Sequence, residues 1–141
     1  MILRSTGFRR FAILLTRFGL ASAYLSSVAD RFGAWGRHGA PNVTWGDFQH
    51  FAAQVMTLLP WVPKAIVPVL AWLVTVLEAA FGLGLLIGVR TKAMAIGSSC
   101  LLIVFGLSTM FSAGGIHSTL ASSVFSAAGA SLLLAYVASN T

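Results

Sequence analysis

Residues 65–89 read AIVPVLAWLVTVLEAAFGLGLLIGV, an apolar run interrupted by one ionisable residue, Glu78. Crossing ~30 Å of hydrocarbon takes ~20 helical residues, and this run meets that length. Three further runs of the same kind follow the pattern: 11–29 (FAILLTRFGLASAYLSSVA), 93–116 (AMAIGSSCLLIVFGLSTMFSAGGI) and 119–138 (TLASSVFSAAGASLLLAYVA). Spanning strands would instead alternate over ~9–11 residues, a pattern the sequence does not show. The chain therefore reads as an all-α membrane protein, a four-transmembrane-helix bundle. Its helices fall at about 8–29, 65–89, 93–116 and 119–138, within a single membrane domain over 1–141.

Composition agrees. Of 141 residues, 57% are hydrophobic and 9% charged, where a soluble domain carries ~25% charged residues to keep its surface wet. The mean hydropathy is +0.88. The net charge of +6 comes largely from Arg4, Arg9, Arg10, Arg90 and Lys92, which flank apolar runs as topology anchors do. No basic patch is interleaved with aromatics, so the partner is the lipid bilayer and not a nucleic acid. The lone cysteine, Cys100, has no second thiol for an internal disulfide and reads as a small packed helix residue. Basic residues ahead of the first run and Ser27-Val28-Ala29 at its end resemble a signal peptide. Arg17 interrupts the apolar stretch, however, and a retained helix is the expectation.

Basic residues near the helix ends set the orientation. Arg4, Arg9 and Arg10 in the N-terminal tail share a side with Arg90 and Lys92 in the tight connection after the second helix. That side is expected to be cytoplasmic, giving a multi-pass inner-membrane protein with both termini in the cytoplasm. The opposite side receives residues 30–64 and a short turn near 114–118. Arg31, Arg37 and Lys64 in that outer segment temper the bias.

The outer segment divides in two. RFGAWGRHGAPN is glycine-rich and carries the helix breaker Pro41. TWGDFQHFAAQVMTLL then reads as an amphipathic surface helix at about 44–59, capped by Thr44 with Asp47 three residues on. Phe48, Phe51, Ala52, Val55, Leu58 and Leu59 share one face at helical spacing. Too short to span, it suits a helix lying at the outer membrane surface. Trp35, Trp45 and Trp61 stand where interfacial indoles belong. Asn42-Val43-Thr44 is a sequon of a length that recurs by chance. Among the spanning runs, Gly84 with Gly88, and Ser122 with Ser126 and Ala130, form small-residue stripes that let backbones approach closely. The spacing leaves open whether those faces meet within one chain or in a homo-oligomer.

Chemistry has few candidates. Arg17 and Glu78 lie inside spanning helices, where a charge is costly and points to function by default. With Phe8 and Gly88 as boundaries, both fall roughly 14 Å deep at 1.5 Å per residue. Antiparallel neighbours would then pair them, either as a structural ion pair or as a proton relay or quinone contact. Arg17 could also snorkel to the head groups. Asp30, Asp47 and His50 are polar candidates on the outer face, where His38 and His117 also fall. Asp47 and His50, three apart, can touch. Asp30 with Arg31 reads as a helix cap or a local pair. No HxxxH or HxH spacing supports a metal site. With three acidic residues the chain has little acid–base equipment, so no catalytic residue is assigned and it reads as non-catalytic on its own.

Four stretches resemble the DoxX family: LSSVADRFGAWG, LEAAFGLGLLIGVRTKAMA, SSVFSAAGASLLLA and the loop APNVTWGDFQHFAAQ, together most of the chain. The resemblance implies a four-helix bundle in a bacterial inner membrane beside redox systems, such as a thiosulfate:quinone oxidoreductase or oxidative-stress complexes with thiol enzymes. It carries over Glu78 foremost and then Arg17. Many members have a lysine after helix one, where this chain has Asp30-Arg31, so ligand contacts there do not transfer. The resulting expectation is a non-catalytic accessory or anchoring subunit of a membrane oxidoreductase or electron-transfer complex, packed against other redox subunits. The alternatives are a quinone-interacting redox subunit, quinone being the one cofactor class admitted, and a small oligomeric channel or transporter.

Overall fold

A computed structural model describes residues 6–112 and 115–139, so Arg4 and Gly114 lie outside the described residues. Among the described residues six helices follow in order: α1 (Thr6–Arg31), α2 (Phe48–Leu58), α3 (Val67–Ile87), α4 (Thr91–Met110), α5 (Gly115–Ala121) and α6 (Val124–Ser139). No strand occurs among the described residues. Three helices, α1, α3 and α4, are each long and apolar enough to cross a membrane. The fourth run is no single rod: α5 and α6 meet at 49° and make a fourth span only if counted together.

That break has a local cause. The helix expected to run to 116 stops at Met110, ahead of a glycine-rich stretch. Beyond α5, the Ser122 hydroxyl donates to the Thr119 carbonyl at 2.6 Å, and the Ser122 amide reaches the carbonyls of both Ser118 and Thr119. Serine side chains offer the backbone such alternatives to the helical ladder.

The long helices run antiparallel to their neighbours. Arg17 of α1 meets Leu85 near the end of α3, Met94 of α4 lies against Gly84, and Ser98 of α4 meets Ser131 of α6. Arg9 reaches the Val137 carbonyl at the far end of α6. The start of α1, the end of α3, the start of α4 and the end of α6 thus share one end, here the basic end. The other is the α2 end.

Packing is thin for such apolar helices. Only 17% of the most apolar window of α1 and 22% of those of α3 and α4 are buried, leaving Phe11, Leu15, Val69, Val76 and Val104 on the outside. Apolar surface on that scale needs a hydrocarbon solvent. Inside, Leu20, Ala21, Leu85, Ala95, Leu134 and Ala135 form one core. A serine seam joins α4 to α6: the hydroxyls of Ser98 and Ser131 lie 2.9 Å apart, and Ser99 donates to the Ala128 carbonyl. The small-residue stripe expected at Ser122, Ser126 and Ala130 is not this contact, since Ser122 and Ser126 are exposed. The packed face of α6 carries Ala128, Ser131, Leu134 and Ala135 instead. Gly84 does pack, against Met94.

Phe51 and Val55 of α2 join Val67 and Ala71 of α3 in a second core, with Phe48, Ala52 and Leu59 packed against it. The apolar face of α2 is therefore used against α3 rather than left for lipid. Its cap also differs from the expected one: Asp47, not Thr44, is the N-cap, accepting from the His50 amide at 2.9 Å. Thr44 is occupied elsewhere, its amide donating to Asp30.

Candidate functional site

The α2 end gathers the chain's buried charge. α1 continues through Asp30 and Arg31, and its buried face runs through Leu20, Tyr24 and then Arg31. Arg31 is the largest fully enclosed side chain among the described residues, at 1% exposure. Its Nη2 donates to Glu78 Oε2 at 2.5 Å and to Ser27 Oγ at 3.2 Å, and its Nη1 to Thr75 Oγ1 at 2.8 Å. The two hydroxyls also donate: Ser27 to Glu78, Thr75 to the Ala71 carbonyl. Each therefore relays the guanidinium to an acceptor on α3.

Aromatic rings close the site. The guanidinium carbon lies 3.6 Å from the Phe51 centroid and 5.1 Å from that of Trp45. The negative ring faces of these residues attract a desolvated cation. Trp45 stands edge-on to Phe51 and donates its indole N–H to Gln54 of α2. Trp45 is thus folded inward, while Trp35 and Trp61 stay exposed as expected. A single arginine ties α1, α2 and α3 together.

Glu78 and Arg17, expected to pair, do not. Arg17 donates from Nε to the Leu85 carbonyl at 2.8 Å and from Nη2 to the Leu86 carbonyl at 3.2 Å. Those carbonyls end α3, where a cation meets the negative pole of the helix. Gly88 closes α3 in the left-handed region at φ 89°, and any Cβ there would collide with the Arg17 guanidinium. The two residues do not lie at equal depth. Arg17, the twelfth residue of α1, reaches the last turn of α3, so α1 extends past α3 at the basic end. That shift brings Arg17 to the helix end and Ser27 and Arg31 to the level of Glu78.

Asp30 is neither a helix cap nor the partner of Arg31. Its Oδ2 accepts from the amides of Thr44 at 3.1 Å and Trp45 at 2.9 Å, pinning the loop over the end of α1. Gly46 follows in the left-handed region at φ 71°, and a Cβ there would strike the backbone of His38. Asp47 and His50 do touch, with His50 Nδ1 and Asp47 Oδ2 2.7 Å apart. The His50 amide, above all, and the His50 ring hold the Asp47 carboxyl below the usual carboxylate range. His38 stacks on His50 with centroids 3.5 Å apart, while His117 lies on α5. No group of three metal-ligating side chains converges among the described residues.

The residue that sequence reasoning passed over is Arg31, assigned to the outer loop. The signal was present: Leu20, Tyr24, Ser27 and Arg31 recur at steps of four, three and four. Extending the helix one turn past Ala29 puts Arg31 on the buried face.

No curated protein and no solved structure matches the chain. The family model described as "Methylamine utilisation protein MauE" matches residues 9–123. It overturns the DoxX resemblance, whose most specific stretch, among four, was a helical glutamate ahead of a glycine-rich run and a basic turn. Small membrane bundles share such features through common packing and topology constraints. With most of its length matched and its apolar helices exposed, this multi-pass membrane protein belongs to the MauE family of methylamine utilisation proteins.

Proposed function

We propose that the chain is a non-catalytic accessory subunit of a bacterial inner-membrane redox system that serves methylamine utilisation. The observation that carries this reading is the Arg31–Glu78 site read beside the family match. Its intramembrane charges are engaged by the chain's own groups, with Ser27, Thr75 and Phe51 around them. Such a site holds three helices in place and presents no group poised to attack a substrate. The basic residues at the start of α1 and at the α3–α4 turn support a cytoplasmic basic end. With α5 and α6 counted as one span, both termini fall on that side and α2 faces outward. Arg17 and Glu78, the pair from which a quinone contact was expected, engage different groups: Arg17 the last carbonyls of α3, and Glu78 the Arg31 guanidinium near the middle of that helix.

The test is mild-detergent purification from the native membrane, with mass spectrometry of protein and extracted lipid, in parallel with deletion of the gene. The expected result is co-purification with subunits of an amine-oxidising redox system, and loss of growth on methylamine that the intact chain restores. Recovery of the chain alone with a bound quinone, and unimpaired growth of the deletion strain, would overturn the reading.

A further inference from the structure

At the basic end, Arg17, Arg90 and Lys92 line one groove of about 680 Å³ together with Ile13, Thr91 and Ile96. The chain has three acidic residues, and all lie elsewhere: Asp30 and Glu78 around Arg31, Asp47 at the cap of α2. Three cations therefore share a groove that no carboxylate lines among the described residues. Arg17 is held in position by the Leu85 and Leu86 carbonyls, which take two of its five donors. Arg90 and Lys92 are exposed, and no side chain caps the first turn of α4 behind them. Ile13 and Ile96 supply an apolar wall beside the charges.

The position matters as much as the charge. The groove sits where α3 ends and α4 begins, at the level where spanning helices leave the hydrocarbon for the head groups. Basic pockets between spanning helices at that level recognise anionic head groups. An inorganic anion would use the three cations and leave Ile13 and Ile96 without a role, whereas a phospholipid uses both. From this charge complementarity and the adjoining apolar wall we infer that the groove is a binding site for an anionic phospholipid. The head-group phosphate lies among Arg17, Arg90 and Lys92, and an acyl chain lies along Ile13 and Ile96. The site is independent of the accessory role proposed above.

The test uses the full chain reconstituted into phosphatidylcholine bilayers doped with phosphatidylglycerol, then released for native mass spectrometry. The parent is expected to retain phosphatidylglycerol in preference to phosphatidylcholine. The double variant R90Q/K92Q should lose that preference by about fivefold for each charge removed. Both side chains are exposed, so the variant should melt with the parent, which separates lost binding from lost folding. Rising salt should weaken retention in the parent. Equal retention of the two lipids by the parent, or undiminished phosphatidylglycerol on the variant, would overturn the proposal. So would displacement of the lipid by inorganic phosphate alone, which would make the groove a site for the free anion.

Discussion

Arg31 and Arg17 stand on the same helix about four turns apart and meet opposite fates. Arg31 is enclosed, its charge answered by a carboxylate, two hydroxyls and a ring. Arg17 is half-buried and answered by the open carbonyls at the end of α3, with the basic groove beside it. The difference does not lie in the side chain or its helix. What lies across from each position decides it. Opposite Arg31, α3 presents Thr75 and Glu78 and α2 lays Phe51 over the top. Opposite Arg17, α3 has run out of N–H donors and shows only acceptors.

The sharpest way to break this contrast is to remove the carboxylate. Glu78→Ala leaves Arg31 enclosed without its counter-charge, and losing one partner of a buried pair costs about 3–5 kcal/mol. Thermal melting in detergent should show a larger loss than removal of either the Phe51 ring or the Asp47 cap. Replacing both partners with apolar residues, Arg31→Met with Glu78→Leu, should recover most of it. A double variant that folds yet fails to support growth on methylamine would assign the pair a role beyond packing. Failure of Glu78→Ala to lower the melting temperature would mean that the pair does not hold the α2 end together.

A middling effect is expected from Phe51→Leu, which keeps much of the apolar volume but removes the ring under the guanidinium. A desolvated cation–π contact is worth about 2 kcal/mol. The loss should shrink towards zero in the Arg31→Met background, where no cation remains, so a double-mutant cycle isolates the contact. An unchanged loss in that background would attribute the effect to packing alone.

The smallest effect concerns the cap of α2 and is set by pH. The folded-state carboxyl of Asp47 titrates below its unfolded value, so its contribution is fully present above the unfolded pKa. It is lost as pH falls through the folded one. Amide exchange at His50 and the rest of the first turn of α2 should therefore rise in acid, while α3 and α4 stay protected. Asp47→Asn keeps a capping side chain and should flatten that pH dependence. A pH profile unchanged in Asp47→Asn would remove Asp47 as its source.

Much of this was legible from the chain alone. The runs that became α1, α3 and α4 stand out because hydrocarbon demands length and apolarity, properties that each segment carries by itself. The apolar face of α2 is likewise a matter of spacing, and Phe51 and Val55 are buried on it. The contact between Asp47 and His50 is local, three residues apart, and needs only a helix. The break at Ser122 and Ser123 was not visible, because side-chain competition for backbone groups is weak against an apolar background. The α4–α6 seam was not visible for a related reason. Small residues occur on several faces of α6, and spacing alone does not say which face meets α4.

The sequence by itself determined where the apolar helices lie, which end carries the basic residues, and that Glu78 is a costly exception requiring a partner. Each of these follows from how a segment prefers its solvent, a property of that segment alone. Only the tertiary structure decided that the partner is Arg31, that Arg17 closes the end of α3, and that Asp30 holds a loop. The first two depend on the offset between α1 and α3, set by side chains packing across two helices far apart in the chain, and the third on a loop that folds back over the end of α1.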